Sequence, residues 1–348
     1  FATAGIVFVS INYRLGSEGF SVLEGAPRNL GLRDAAAALE WVHREISAFG
    51  GDPARITAMG ESAGGAIVAG LLARDSSREL ISRAIIESGP LQAQTARKAG
   101  RVTAQLAKRL GVRADRESFA ALTPEQLLEA RRAQAAGSSP LGGAPGFQFA
   151  IDPDSLPRSP HEVLAEIDTP LLIGSNTDEY RLWFPPEALA GISEFKMQAA
   201  RILSRIPRRA VAEYRSAFPG AITGEIFGQL VTDMMLRAPL SRVAAARPDA
   251  THVYEFAWPS PVRDLRAAHA LELGFVFDRL DDAEAQRMAG PDAPRGLAAE
   301  MNAAWVAFVT TGDPGWPAYG SGRRTRLFDA DSTTVAQRRT AAMDLLPG

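Results

Sequence analysis

Short apolar segments alternate with helical ones in the N-terminal part of this chain, and that alternation restricts the fold to a parallel sheet covered by helices. Residues 5–13 form a nearly continuous β-branched run, typical of a strand buried on both faces. A helix is predicted over residues 29–48, followed by short strands at 55–59 and 83–87 with a small-residue helix at 62–73 between them. Repeated βαβ units of this kind predict a mostly parallel sheet flanked by helices.

The remainder of the chain predicts more of the same sheet, interrupted by helical segments. Further strands are predicted at residues 169–174 and 252–258. Two helical insertions are predicted at about residues 90–165 and 185–247. A loop rich in Gly, Ser and Pro is predicted at residues 137–146, inside the first insertion. Because neither insertion is bounded by a convincing linker, residues 1–348 are predicted to form a single α/β domain.

Composition excludes several classes of function. The formal net charge of −2 gives no electrostatic case for binding nucleic acid or an anionic membrane. No apolar run reaches the roughly 18 residues that a membrane-spanning helix requires. The absence of cysteine excludes disulfides, thiolate metal sites and a cysteine nucleophile. It fits a cytoplasmic location, and secretion is the alternative, since secreted bacterial proteins also often lack cysteine.

The segment Gly60-Glu-Ser-Ala-Gly64 matches the pattern G-x-S-x-G and lies between a predicted strand and a predicted helix. A sharp turn at this junction holds the serine in a strained conformation, so positions 60 and 64 are expected to require glycine. Ser62 is therefore predicted to be a nucleophile. The N–H of Ala63, at the helix N-terminus, is predicted to stabilise developing negative charge on an oxyanion.

A serine hydroxyl needs a base to become a nucleophile, and the chain contains four histidines. His43 is predicted to lie on a solvated helix face, His161 to cap a helix and His252 to begin a strand. His269 precedes an apolar segment well downstream of the serine. It alone fits the chain order of nucleophile, acid and histidine that accompanies this motif, so it is the predicted base.

The acid that orients the base is expected between the serine and His269, just after a strand. Residues 171–179 end in two adjacent carboxylates, those of Asp178 and Glu179. Spacing alone does not choose between them.

These segments together resemble the type-B carboxylesterases, the family that contains bacterial para-nitrobenzyl esterases and cholinesterases. The similar segments follow the family's order along nearly the whole chain, at residues 10–16, 29–34, 49–53, 60–65, 87–89, 174–179, 269–273 and 311–314. The resemblance implies an α/β-hydrolase fold and the hydrolysis of small-molecule carboxylic esters, with neither a metal nor an organic cofactor.

The resemblance also assigns roles within the predicted site. It implies that Glu179 orients the histidine, while Asp178 fixes the loop. It further implies that Ser88, in the segment Glu-Ser-Gly, supports the glutamate. Two positions depart from the family pattern, since Tyr180 replaces a glycine and Ala35 a glutamine. We expect Tyr180 to narrow the pocket or alter the acidic loop.

A larger departure concerns the family's His-Gly-Gly-Gly loop, whose backbone N–H groups complete the oxyanion hole. None of the Gly-Gly pairs in this sequence follows a histidine. The resemblance therefore implies that N-terminal strands of the fold are missing and that residues 1–348 alone are inactive or unstable. The alternative to an esterase is a non-catalytic binding member of the same fold without a complete oxyanion hole.

Overall fold

A computed structural model of the protein describes residues 1–136 and 146–347. The loop predicted at residues 137–146 therefore lies outside the described residues, apart from Gly146. Within the described ranges, no helix is both long and apolar enough to cross a membrane.

A mixed sheet of six strands forms the centre of the molecule, in the order β1-β2-β3-β4-β5-β6. Neighbouring strands are parallel except for the last pair, which is antiparallel. The predicted mostly parallel sheet is thus confirmed. The strands are β1 (Thr57–Glu61), β2 (Arg83–Glu87), β3 (Leu171–Asn176), β4 (Thr251–Phe256), β5 (Arg324–Phe328) and β6 (Thr333–Ala336).

Helices lie on both faces of this sheet and make up the two insertions. Before β3 they are α1 (Gly16–Phe20), α2 (Leu30–Glu45), α3 (Ala63–Leu72), α4 (Asp75–Arg78), α5 (Ala96–Leu110), α6 (Arg116–Ala120), α7 (Pro124–Ala136) and α8 (Pro160–Leu164). After β3 they are α9 (Pro186–Ala190), α10 (Glu194–Leu203), α11 (Arg208–Ala217), α12 (Thr223–Thr232), α13 (Ala238–Ala246), α14 (Leu273–Val276), α15 (Ala283–Ala289), α16 (Arg295–Thr311) and α17 (Thr340–Met343). Short 3-10 turns span Ala2–Ala4, Ile46–Phe49, Pro53–Arg55, Glu179–Leu182 and Val262–Asp264, and a π-helical turn spans Asp233–Arg237.

The strand predicted at residues 5–13 is wrong. This segment pairs with no strand of the described sheet, and β1 forms the sheet edge instead. Val7, Phe8 and Val9 are 41%, 51% and 39% exposed. A strand requires a neighbour for its N–H and C=O groups, and β-branched composition alone supplies none.

Alternate residues of the central strands pack on opposite faces of the sheet, as the twofold side-chain period requires. Ile86 and Ile173 join the cluster that includes Leu32 of α2. Leu172 joins the cluster on the other face, which includes Trp305 of α16. Burial on both faces fixes the register of the sheet, and the register brings the carboxyl ends of β1 to β4 to one edge.

Candidate active site

The residues predicted to form the site all follow strands whose carboxyl ends meet at that edge. Ser62 comes directly after β1, Ser88 directly after β2, and Glu179 shortly after β3. His269 lies in the loop between β4 and α14. In open parallel sheets this edge is where ligand sites form, because each strand delivers its following loop to the same place.

The turn at Ser62 has the strained backbone that its sequence predicts. Ser62 has φ 51° and ψ −116°, a conformation that residues with side chains rarely adopt. The strand and helix on either side approach so closely that a Cβ at Gly60 would lie 2.4 Å from the backbone carbonyl of Gly64. A Cβ at Gly65 would lie 2.9 Å from Gly89 Cα. Gly60 and Gly65 are therefore the positions where the turn leaves no room for a side chain.

The steric requirement predicted for Gly64 is wrong. A Cβ placed there would meet no described atom within 4 Å. Gly64 lies in the first turn of α3, and its Cβ direction points away from β1. The close backbone contact falls one residue later, where the helix passes Gly89 in the loop after β2.

The structure brings the three predicted residues Ser62, His269 and Glu179 into one hydrogen-bonded chain. His269 Nε2 lies 2.7 Å from Ser62 Oγ, and His269 Nδ1 lies 2.5 Å from Glu179 Oε2. The side chains of His269 and Glu179 are almost completely buried. In this arrangement an imidazole can accept the serine proton at Nε2 while the carboxylate holds its Nδ1–H.

Glu179 is held by two more donors. Its Oε1 accepts hydrogen bonds from Ser88 Oγ at 2.6 Å and from the Asn176 N–H at 2.7 Å. Ser88 is fully buried and has φ 48°, so its backbone is bent to aim the hydroxyl at the carboxylate. With His269 included, three donors fix both oxygens of Glu179.

Asp178 contributes to this loop mainly through its backbone. Its N–H donates to Ala267 O at 2.9 Å, and its C=O accepts from the Arg181 N–H at 2.9 Å. The bond to Ala267 joins the acidic loop to the loop that carries His269, and the bond from Arg181 closes a turn within the acidic loop. Burial raises the pKa of the Asp178 carboxyl, and the charges of nearby arginines oppose the rise.

A second carboxylate, missed by the sequence analysis, lies beside the imidazole. Glu61 Oε1 is 3.1 Å from His269 Nε2 and is buried without a hydrogen bond to the described residues. Burial raises the pKa of Glu61 to about 7, with the charge of His269 opposing and that of Glu179 adding to the rise. Burial lowers the pKa of His269, but the Glu179 hydrogen bond and the charges of Glu179 and Glu61 outweigh it, so the net direction is upward.

Two further buried acids, Glu87 and Glu272, lie near Glu61. Burial raises the pKa of Glu87 to about 8, against a hydrogen bond from Trp305 Nε1. Burial, together with the charges of Glu179, Glu61 and Glu87, raises the pKa of Glu272 well above its usual value. Glu272 accepts a hydrogen bond from Asn176 Nδ2, which also donates to Ala268 O. At neutral pH these raised pKa values favour the uncharged acids, which limits the negative charge next to Glu179.

An ionic cluster supports the acidic loop from behind. Arg237 Nη2 donates to the backbone carbonyl of Asn176, the last residue of β3. Glu255 accepts hydrogen bonds from Arg338 and Arg339, near the C-terminal end of the described chain. Burial opposes ionisation of Glu255, but the charges of Arg339, Arg237 and Arg338 hold its pKa well below the usual value. The C-terminal segment is thereby tied to β4, and Arg338 Nη2 also donates to Thr177 Oγ1, directly after β3.

Aromatic residues near the acidic loop have separate surroundings. Trp183 packs against the imidazole of His269, with ring centroids 4.6 Å apart, and is 51% exposed. Tyr180 does not narrow this space, because it is buried in the helical insertion against Gly228. Phe184 packs against Phe227 in the same insertion. Trp183 is therefore the aromatic wall of the candidate site.

The other histidines lie outside the site. His43 is exposed on α2, and His161 Nδ1 lies 2.8 Å from Ser159 Oγ. His252 is the second residue of β4, with its ring against Trp316.

Ala63, the predicted oxyanion donor, is the first residue of α3. Its backbone N–H has no acceptor within its own helix and can donate to an oxyanion.

Comparison with known proteins agrees with this geometry. The model of the carboxylesterase family matches residues 1–344. This chain belongs to the carboxylesterase family, and its fold is that of the α/β-hydrolases. Family membership assigns it to the enzymes that hydrolyse esters.

Named relatives and solved structures support the same assignment. The Bacillus subtilis para-nitrobenzyl esterase is 35% identical, over 95% of this chain and 71% of that protein. The phenmedipham hydrolase of Pseudarthrobacter oxydans is 30% identical, over 97% of this chain and 72% of that protein. Among solved structures, the Geobacillus stearothermophilus carboxylesterase has a TM-score of 0.84 at 30% identity, covering 97% of this chain and 74% of that one.

The different amounts of space around Gly60 and Gly64 predict different effects of alanine substitutions on stability. We expect Gly60→Ala to lower the free energy of unfolding by about 2–3 kcal/mol, because its Cβ would overlap backbone that cannot move independently. Gly64→Ala is the matched control, and it should leave stability unchanged or raise it by up to about 1 kcal/mol, as alanine does in helices. Urea unfolding of both variants provides the comparison. Equal destabilisation by the two substitutions would contradict the assignment of the tight contact.

The pKa of His269 gives an expected pH dependence. His269 must be neutral to accept a proton, so activity should fall as pH drops through its raised pKa, with a midpoint above 6.5. Glu61→Gln removes a carboxylate that favours the imidazolium, so the midpoint should move toward acidic pH. The profile of kcat/KM against pH tests this, with Glu117→Gln on exposed α6 as the control. An unchanged midpoint in Glu61→Gln would contradict the electrostatic coupling between Glu61 and His269.

Proposed function

We propose that this protein is a serine carboxylesterase that cleaves small-molecule esters through an acyl-serine intermediate. The observation that carries the proposal is the continuous hydrogen-bonded chain from Ser62 Oγ through His269 to Glu179. A serine without such a base is a weak nucleophile, and a base without an orienting acid loses its productive tautomer.

In the acylation half of the reaction, Ser62 Oγ attacks the ester carbonyl while His269 Nε2 takes the hydroxyl proton. The negative charge that develops on the carbonyl oxygen is stabilised in part by the Ala63 N–H and by the N-terminus of α3. The imidazolium formed at His269 is stabilised by Glu179. His269 then gives its proton to the leaving alcohol, and the C–O bond to the alcohol breaks.

Deacylation reuses the same residues. His269 takes a proton from water, the resulting hydroxide attacks the acyl-serine carbonyl, and the acid product leaves as the proton returns to Ser62 Oγ. Each half-reaction begins and ends with a neutral imidazole. Glu61, 3.1 Å from Nε2, adds a second acceptor for the imidazolium proton when it is ionised.

The family and the walls of the site support a small-molecule ester as the substrate. Two relatives are named for hydrolysis of small molecules, the para-nitrobenzyl esterase and the phenmedipham hydrolase. Trp183 offers an exposed aromatic face beside His269, suited to an apolar acyl or alcohol group.

The rival proposal is a non-catalytic member of the fold that binds a partner and turns over no ester. The observation that favours it is the unpaired edge of β1, beside the candidate site, in the described sheet. The two proposals differ in the reactivity of Ser62, since only a proton-accepting neighbour makes a serine hydroxyl react readily with an electrophile.

Substitution of the serine separates these proposals. In the full-length protein we expect Ser62→Ala to lower kcat for a p-nitrophenyl ester by roughly four to six powers of ten, because the nucleophile is lost and only general binding remains. Ser175→Ala, in β3 and outside the hydrogen-bonded chain, is the matched control and should keep activity within about threefold.

A fluorophosphonate probe provides a second readout that does not depend on turnover. It should label the full-length protein and its Ser175→Ala variant, but leave Ser62→Ala unlabelled. Full ester turnover by Ser62→Ala would overturn the serine mechanism. A folded full-length protein that neither labels nor hydrolyses esters would support the binding protein instead.

A further inference from the structure

Helix α10 (Glu194–Leu203) carries an apolar face that is turned to solvent. Phe195, Ile202 and Leu203 are 83%, 64% and 81% exposed. At about 100° per residue, the positions i, i+7 and i+8 lie on one side of a helix, together with Ala199 at i+4. Scattered exposed apolar side chains are ordinary on protein surfaces, but a stripe along one helix face indicates a contact surface.

The same helix already has a buried face, so the exposed stripe is not a misplaced core. Met197 is 1% exposed and packs in the core of the helical insertion, with Ala200 against it. This buried face is turned away from Phe195 and Leu203 by the helical periodicity. No described residue covers the exposed stripe, so α10 is apolar on two sides and only one of them is covered within the described chain.

Basic side chains flank the stripe. Lys196 is exposed within α10, and Arg205, Arg208 and Arg209 are exposed in the segment that follows it. Arg205 and Arg208 form no ion pair with the described residues, and Arg209 has only a 3.9 Å pairing with Glu213. The acid at the start of the helix, Glu194, is paired with Arg215 at 2.6 Å. The net charge of −2 for the whole chain therefore conceals a locally positive surface.

We infer that the α10 face, defined by Phe195, Ile202, Leu203 and the flanking cations Lys196 and Arg205, docks on an anionic lipid surface. Apolar side chains between lysine and arginine residues are the combination by which an amphipathic helix lies in a bilayer interface. The negative surface of such a bilayer attracts the cations, and the headgroup region accepts the apolar stripe.

A second copy of the chain fits this face less well. A twofold pairing brings the same patch of both copies together, so Lys196 and Arg205 would face the same cations of the partner. Repulsion between like charges in a closed interface is costly, whereas an anionic surface neutralises them. Charge complementarity thus favours the lipid.

The inference does not depend on ester hydrolysis, so it is tested on the full chain carrying Ser62→Ala, alongside the parent. Vesicles of phosphatidylcholine alone are compared with vesicles that also contain phosphatidylglycerol, and bound protein is measured by flotation. We expect binding to the anionic vesicles, weaker binding to the neutral ones, and loss of the difference at high salt.

Two variants separate the apolar and ionic parts of the surface. Phe195→Ser with Leu203→Ser should weaken binding to anionic vesicles by more than about tenfold, because both inserted side chains are lost. Lys196→Glu with Arg205→Glu should remove the preference for anionic vesicles. Phe49→Ser, at a 63% exposed phenylalanine elsewhere on the surface, is the matched control and should bind like the parent.

Three results would overturn the inference. They are no binding by the parent, equal binding to both kinds of vesicle, or an unchanged affinity in the Phe195→Ser, Leu203→Ser variant. Light scattering after size exclusion measures the molar mass of the parent and of this variant. A dimeric parent and a monomeric variant would also overturn the inference, because the face would then be an interface between copies. Thermal melting confirms that the variants are folded, and the exposed positions should leave the melting temperature unchanged.

Discussion

The carboxylate of Glu179 accepts hydrogen bonds from groups that three different strands deliver to one edge of the sheet. Ser88 follows β2, the Asn176 N–H belongs to the end of β3, and His269 lies in the loop after β4. These donors meet only because the strands are in register, with Glu87 opposite Gly174 and Asn176 opposite Phe256. A slip of one residue would turn the donors to the other face of the sheet, so the burial of the strands on both faces also fixes the candidate site.

Much of this arrangement could be predicted from the sequence because it depends on local pattern and chain order. The strand-turn-helix pattern around Ser62 predicts the bent serine, and the order of residues selects His269 from four histidines. The prediction of a strand at residues 5–13 was wrong for a physical reason. A strand forms only when a neighbouring strand binds its backbone groups, and composition alone cannot supply that neighbour. The need for room at Gly65 rather than Gly64 depends on Gly89, a contact between distant parts of the chain.

The acids around His269 show a different limit. Glu61 and Glu272 lie beside residues that the sequence identifies, one before Ser62 and three after His269, so their proximity in the chain was a usable signal. Their protonation was not predictable, because it depends on burial and on charges from separate strands. The exposure of α10 is similar, since its pattern contains two apolar faces and only the tertiary structure decides which one is covered.

Tyr180 and Gly228 link the candidate site to a helix that contributes nothing to its chemistry. The tyrosine ring occupies the space where a Cβ at Gly228 would lie, only 2.3 Å from its Cδ2. Tyr180 is the immediate neighbour of Glu179, so any side chain at position 228 pushes on the peptide that carries the acid. The two positions are therefore sterically interdependent: an aromatic ring at position 180 leaves no room for a side chain at position 228. A substitution at Gly228 of α12 can thus displace the loop of Glu179 through the ring of Tyr180.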